Sequence, residues 1–111
     1  MWVEDGKLDG NVAVRDAFQL NGMVTGSISV APAGRLWLNG MCCGNLVVEA
    51  GAEVELRGAC HGDILNKGGL LSVYGTVQGG ILTSAGGQTR IDESAVVRGI
   101  VRREAGPQGQ H

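Results

Sequence analysis

Leu38-Asn39-Gly40-Met41-Cys42-Cys43-Gly44-Asn45-Leu46 decides the fold, because the same phrase stands on either side of it. One period earlier it reads Leu20-Asn21-Gly22-Met23-Val24-Thr25-Gly26-Ser27-Ile28. One period later it reads Leu56-Arg57-Gly58-Ala59-Cys60-His61-Gly62-Asp63-Ile64. Val73-Tyr74-Gly75-Thr76-Val77-Gln78-Gly79-Gly80-Ile81 is a looser fourth copy, Ala95-Val96-Val97-Arg98-Gly99-Ile100-Val101 closes the series, and Gly10-Asn11-Val12-Ala13-Val14 opens it. Gly26, Gly44, Gly62 and Gly79 step by 18, 18 and 17 residues. A fixed period of this length belongs to a chain wound into stacked coils, each of which buries its apolar face only against its neighbours.

Within the long period, apolar or small residues recur every sixth position: Val24, Val30, Leu36, Cys42, Val48, Val54 and Cys60, resuming at Val77 after a one-residue deletion. Each coil therefore has three sides. Along a side the alternation is period two, as in Ile28-Ser29-Val30 or Val54-Glu55-Leu56, the pattern of a short strand with one buried face. With 20 Gly and 2 Pro, the chain has residues able to take positive φ at corners, and Asn21-Gly22, Asn39-Gly40 and Ala33-Gly34 are expected to use it. No useful length carries the i, i+3, i+4, i+7 spacing of an amphipathic helix. The expectation is an all-β, single-domain, three-sided parallel β-helix of about six coils. It occupies residues 1–101, an N-terminal capping segment included, and a polar tail follows at 102–111.

Stacking the coils predicts three inward columns: Val24, Cys42, Cys60, Val77, Val97; Ile28, Leu46, Ile64, Ile81, Val101; and Leu20, Leu38, Leu56, Val73. A core of such columns is aliphatic and narrow, which fits an aromatic content of 4%. At about 4.8 Å per coil the rod is about 30 Å long. Its two end coils carry strand edges that must be capped or paired with another molecule. Trp2 and Phe18 are expected to plug the first coil, and Val97 and Val101 sit at the other end.

A net charge of −2 and a pI near 5.6 give no basic stripe for phosphates, so no nucleic-acid partner is expected. Met1-Trp2-Val3-Glu4-Asp5-Gly6-Lys7 lacks an apolar leader core, and no run approaches the roughly 18 apolar residues of a membrane span. Three cysteines without CxxC spacing suit a reducing compartment, and a cytoplasmic location follows as the expectation.

Cys42 and Cys60 fall in an inward column and read as small core hydrophobes. Cys43 falls one place further on, in the outward column Thr25, Cys43, His61, Gln78, Arg98, and Asp63 follows His61 by two. Thiol, imidazole and carboxylate on adjacent coils can be read as an activated nucleophile or as ordinary polar surface. A flat face offers no pocket, so no catalytic site is expected. With one His besides His111, no metal site or cofactor is expected either. Trp37, outward beside Glu55 and Ser72, is a candidate anchor for a protein partner, or a ring covered by a terminal segment.

The repeated phrase of aliphatic, Gly, Val and Gly positions, with Gly51-Ala52-Glu53-Val54 between copies, resembles the bactofilins over roughly residues 8 to 101. That resemblance implies a bacterial, polymer-forming cytoskeletal protein whose three-sided, right-handed β-helix joins end to end without nucleotide. The right hand also agrees with the general rule for parallel crossovers. Arg102-Arg103-Glu104 would act as an edge protector. Left-handed hexapeptide acyltransferases share the period, but they place a small residue after each inward aliphatic, where this chain has Thr25, Ala31, Trp37, Cys43, Glu49, Glu55 and His61. The expected function is a non-enzymatic scaffold that self-associates through its end coils into a homo-oligomer or polymer. The alternative is a small soluble protein-binding module, of inhibitor or immunity type, that uses a flat face around Trp37, Cys43 and His61. An acyltransferase-like enzyme is the distant third.

Overall fold

A computed structural model describes residues 2–84 and 86–103, with the side chains of Trp2 and Arg103 left undescribed. Each coil contributes three strands. The first has β1 (Trp2–Glu4), β2 (Lys7–Leu8) and β3 (Val12–Val14); the second has β4 (Ala17–Leu20), β5 (Met23–Val24) and β6 (Ile28–Val30). The third has β7 (Arg35–Leu38), β8 (Met41–Cys42) and β9 (Leu46–Val48); the fourth has β10 (Glu53–Leu56), β11 (Ala59–Cys60) and β12 (Ile64–Asn66). The fifth has β13 (Leu70–Val73), β14 (Thr76–Val77) and β15 (Ile81–Thr83); the sixth has β16 (Gln88–Ile91), β17 (Val96–Val97) and β18 (Val101–Arg103). Every pairing is parallel, and the strands form three sheets of six: the first runs from β1 to β16, the second from β2 to β17, the third from β3 to β18. This is the three-sided β-solenoid of six coils that the repeat implies. Among the described residues there is no helix, so none long and apolar enough to cross a membrane.

The columns are those the period lays down. Val24, Cys42, Cys60, Val77 and Val97 are register partners in the second sheet, and Ile28, Leu46, Ile64, Ile81 and Val101 in the third. Leu20, Leu38, Leu56 and Val73 line up in the first. Away from the ends these side chains are buried, because period-two pleating turns every second residue inward. Phe18 is a ring buried in this core. It lies in β4 of the second coil, between Trp2 and Leu36 in register, so it fills the prism one coil in from the end instead of plugging the end itself. The capping role expected of the Trp2 side chain, and the tail residues from 104 to 111, lie outside the described residues.

The glycine corners differ from expectation in their cause. Gly22 and Gly40 are not among the positive-φ residues, which are Ala33 (φ 69°), Gly10, Gly51, Gly68 and Gly86. At the corner between the first and second sheets, Gly22, Gly40, Gly58 and Gly75 stack so closely that an added Cβ would overlap the carbonyl oxygen of the glycine one coil below. These glycines serve backbone approach. Left-handed backbone is confined mainly to the corner between the third and first sheets, and there Ala33 itself takes the strained conformation while Gly34 does not.

That corner also absorbs the deletion. Ala31-Pro32-Ala33-Gly34 and Glu49-Ala50-Gly51-Ala52 are closed by bonds from Gly34 N to Ala31 O (2.8 Å) and from Ala52 N to Glu49 O (3.0 Å). The next turn has only Lys67-Gly68-Gly69. Here the fully buried Asn66 steps in, its Oδ1 accepting from Gly68 N (3.2 Å) and Gly69 N (2.8 Å). Its Nδ2 donates upward to Gln88 O (2.9 Å) and Thr89 Oγ1 (3.2 Å), and Thr89 Oγ1 lies 2.6 Å from Thr83 Oγ1.

Candidate functional site

β8 and β11 end on the buried Cys42 and Cys60, so the next residue of each coil turns outward at the corner between the second and third sheets. Cys43 N donates to Val24 O (2.9 Å) and His61 N to Cys42 O (2.8 Å), which stacks His61 directly above Cys43. Cys43 is half-buried and His61 exposed. Asp63 follows, and its carboxylate ties two coils together, with Oδ1 accepting Gly80 N at 2.9 Å. It is the last rung of a ladder in which Asn11 Oδ1 accepts Ser27 N (2.9 Å), Ser27 Oγ accepts Asn45 N (3.1 Å) and Asn45 Oδ1 accepts Asp63 N (2.9 Å). Each side chain thus caps the backbone of the coil above. Among the described residues no hydrogen bond joins the side chains of Cys43, His61 and Asp63, and no three His, Cys, Asp or Glu side chains are grouped for a metal ion.

The sulfur of Cys43 has a different neighbour. Met41 points outward from β8, two residues before Cys43, and its Sδ lies 4.0 Å from Cys43 Sγ. Met23 is the register partner of Met41 on β5. Reading the sequence for polar clusters misses these two outward methionines, although period two places each of them one residue before an inward Val24 or Cys42. Inside the wall, Cys42 and Cys60 face each other across adjacent coils. The Cys60 thiol is pushed up by its hydrogen bond with Cys42 and by burial, so it stays protonated near neutral pH.

Trp37 belongs to another surface. It is outward on β7 of the first sheet, in register with Gln19 and Glu55, and Ser72 follows beyond Glu55. The Arg35 guanidinium lies 5.8 Å from its ring centroid and pairs with Glu53 at 3.3 Å. A shallow groove of about 200 Å³ runs beside the ring, bordered by Arg35, Glu53, Glu55, Leu70 and Ser72. Trp37 and the Cys43/His61 pair therefore sit on different sides of the prism, and the four candidate residues do not converge on one face.

No family model, no curated protein and no solved structure matches this chain. Function must be read from the rod itself.

Its ends are chemically unlike. In the first coil, Glu4 occupies the inward column below Leu20, and its Oε2 accepts Gly6 N at 3.1 Å, beside the apolar inward positions Leu8, Val12 and Val14. In the sixth coil the inward column positions hold Thr89, Ile91, Val97, Val101 and, in register with the buried Thr83, Arg103. Ile91 is 41% exposed and Val101 49%, with Ile100 beside it at 72%. Val97 is half-buried. The apolar core is thus open to solvent at the C-terminal end. The backbone there is open as well. Val12, Ile28, Leu46, Ile64 and Ile81 each donate their N–H toward the following coil at 2.9 Å. Val101 continues their column, so its N–H points out of the end of the rod.

Proposed function

We propose that this protein is a non-enzymatic scaffold of bactofilin type that self-associates through its end coils. The observation that supports the reading most directly is the sixth coil, where Ile91, Ile100 and Val101 are exposed and the ladder leaves the Val101 N–H facing out of the end. A second coil laid on this end buries the apolar column and supplies the ladder acceptors that strand edges otherwise seek. Arg102, outward on β18, flanks the contact and limits how a foreign strand can approach.

The experiment is light scattering after size exclusion across a concentration series, followed by negative-stain microscopy. Assemblies that grow with concentration and vanish in Val101→Pro, which deletes the outgoing donor, support the reading. Val101→Asp serves as a second variant, with circular dichroism to establish that both remain folded. One compact species at every concentration would sink it. A second reading, a protein-binding module, draws on the groove beside Trp37; it predicts a discrete species whose partner binding is lost in Trp37→Ala.

A further inference from the structure

We propose that Met41 and Cys43, flanked by Met23 and His61, form a binding site for Cu(I) on the outside of the second sheet. Met41 and Cys43 lie two residues apart across the end of β8, so both side chains leave on the outer side of the same coil. Their sulfurs stand 4.0 Å apart. Two sulfurs held by one metal at about 2.3 Å in a trigonal arrangement are separated by about 4 Å, so this pair already has the bite of a chelate.

The stacking supplies further donors. Met23 stands in register with Met41 one coil toward the N-terminus, and His61 stands above Cys43 one coil toward the C-terminus. Four soft or borderline donors thus occupy three successive coils at a spacing of about 4.8 Å. All are reachable without unfolding, since Met23, Met41 and Cys43 are half-buried and His61 is exposed. The glycines at positions 22, 40 and 58 add no side chain beside the methionines, which line a shallow hollow with them.

The donor set selects the ion. Thioethers bind hard cations poorly, and one thiolate with one imidazole is too few strong ligands for a closed zinc site. Asp63, the nearest carboxylate in sequence to His61, has Oδ1 committed to Gly80 N. Thiolate, thioether and imidazole together suit Cu(I). On binding, the Cys43 S–H bond breaks and an S–Cu bond forms. The proton passes to solvent, copper remains Cu(I) and no electron moves. Cys42 and Cys60 are sealed in the core and do not compete.

The test uses the full chain under anaerobic conditions with ascorbate-reduced copper, titrated against the chromogenic Cu(I) chelator bicinchoninate. The expected result is one equivalent of copper held in competition with the chelator, with one proton released. Affinity should fall about 100-fold in Cys43→Ser and about tenfold in Met41→Leu or His61→Gln, losses typical of removed ligands or their supports. Circular dichroism establishes that each variant is folded. Sulfur scatterers with a nitrogen in the copper X-ray absorption spectrum complete the expectation. Absence of binding, full affinity in Cys43→Ser, or no change in Met41→Leu would each overturn the site. The site lies on the side of the rod, so Val101→Pro should bind copper unchanged whatever its state of assembly.

Discussion

Replacing Asn66 by Val asks whether one side chain stands in for the residue missing from the fourth coil. Val48 holds the same column one coil earlier, where the turn is a residue longer and closes on itself. Valine would fill the space of Asn66 and remove all four of its bonds. Gly68 N is only partly buried, and Thr89 Oγ1 keeps its contact with Thr83, so the loss falls mainly on Gly69 N and Gln88 O. Leaving two such groups unpaired costs about 1–3 kcal/mol each. Burying the added methyl surface offsets about 1 kcal/mol, for a net loss of about 1–5 kcal/mol. In equilibrium urea unfolding followed by circular dichroism, with a slope of about 2 kcal/mol per molar, the midpoint should fall by about 0.5–2.5 M. The compensating variant adds one alanine after Lys67 to Asn66→Val, which restores the longer turn and should recover more than half of the loss. A change below about 0.5 kcal/mol in the single variant, the range of an ordinary surface substitution, would refute the reasoning. So would failure of the insertion to recover anything.

Gly58→Ala should destabilise by at least about 3 kcal/mol, since its Cβ would meet the Gly40 carbonyl and force two coils apart; thermal unfolding measures it. Ala33→Gly should do the opposite and stabilise by up to about 1 kcal/mol, because a left-handed alanine (φ 69°) is relieved at the expense of some chain entropy. Asp92 is held below the usual aspartate range by the hydroxyl and then the backbone N–H of Ser94. A depressed folded pKa contributes stability above the unfolded value and loses it as pH falls through the folded one. An NMR titration of Asp92 should therefore shift upward in Ser94→Ala and not move downward. Among the thiols, Cys43 should react with an aromatic disulfide reagent in the native protein, and Cys42 and Cys60 only on unfolding; three equally fast thiols would contradict the packing.

The columns are legible in the sequence because two periods agree. Alternation along Val54-Glu55-Leu56 fixes which side chains are inward, and the step between Gly26, Gly44 and Gly62 fixes which of them stack. Three features need coordinates. Glycine at positions 22 and 40 reads equally as a left-handed bend or as a close approach, and only the backbone path decides. The deletion is visible as a shortened step, but that Asn66 compensates for it depends on a buried side chain reaching into the coil above. The sequence marks each candidate residue as outward, which suggests one shared face. Outward has three directions on a prism, and Trp37 leaves by a different sheet from Cys43 and His61. Met23 and Met41 escape notice because apolar residues at outward positions look like noise in a period-two count.

The bond from Glu53 N to Gly34 O, 3.0 Å long, joins points about one period apart along the chain at the same corner. Gly34 already leads into Arg35 as Ala52 leads into Glu53, so excising Arg35–Ala52 would fuse two junctions of the same shape. Duplicating that stretch would do the reverse. The molecule can thus be shortened or lengthened in whole turns of about 4.8 Å without redesigning either terminus. Its size is a copy number of coils.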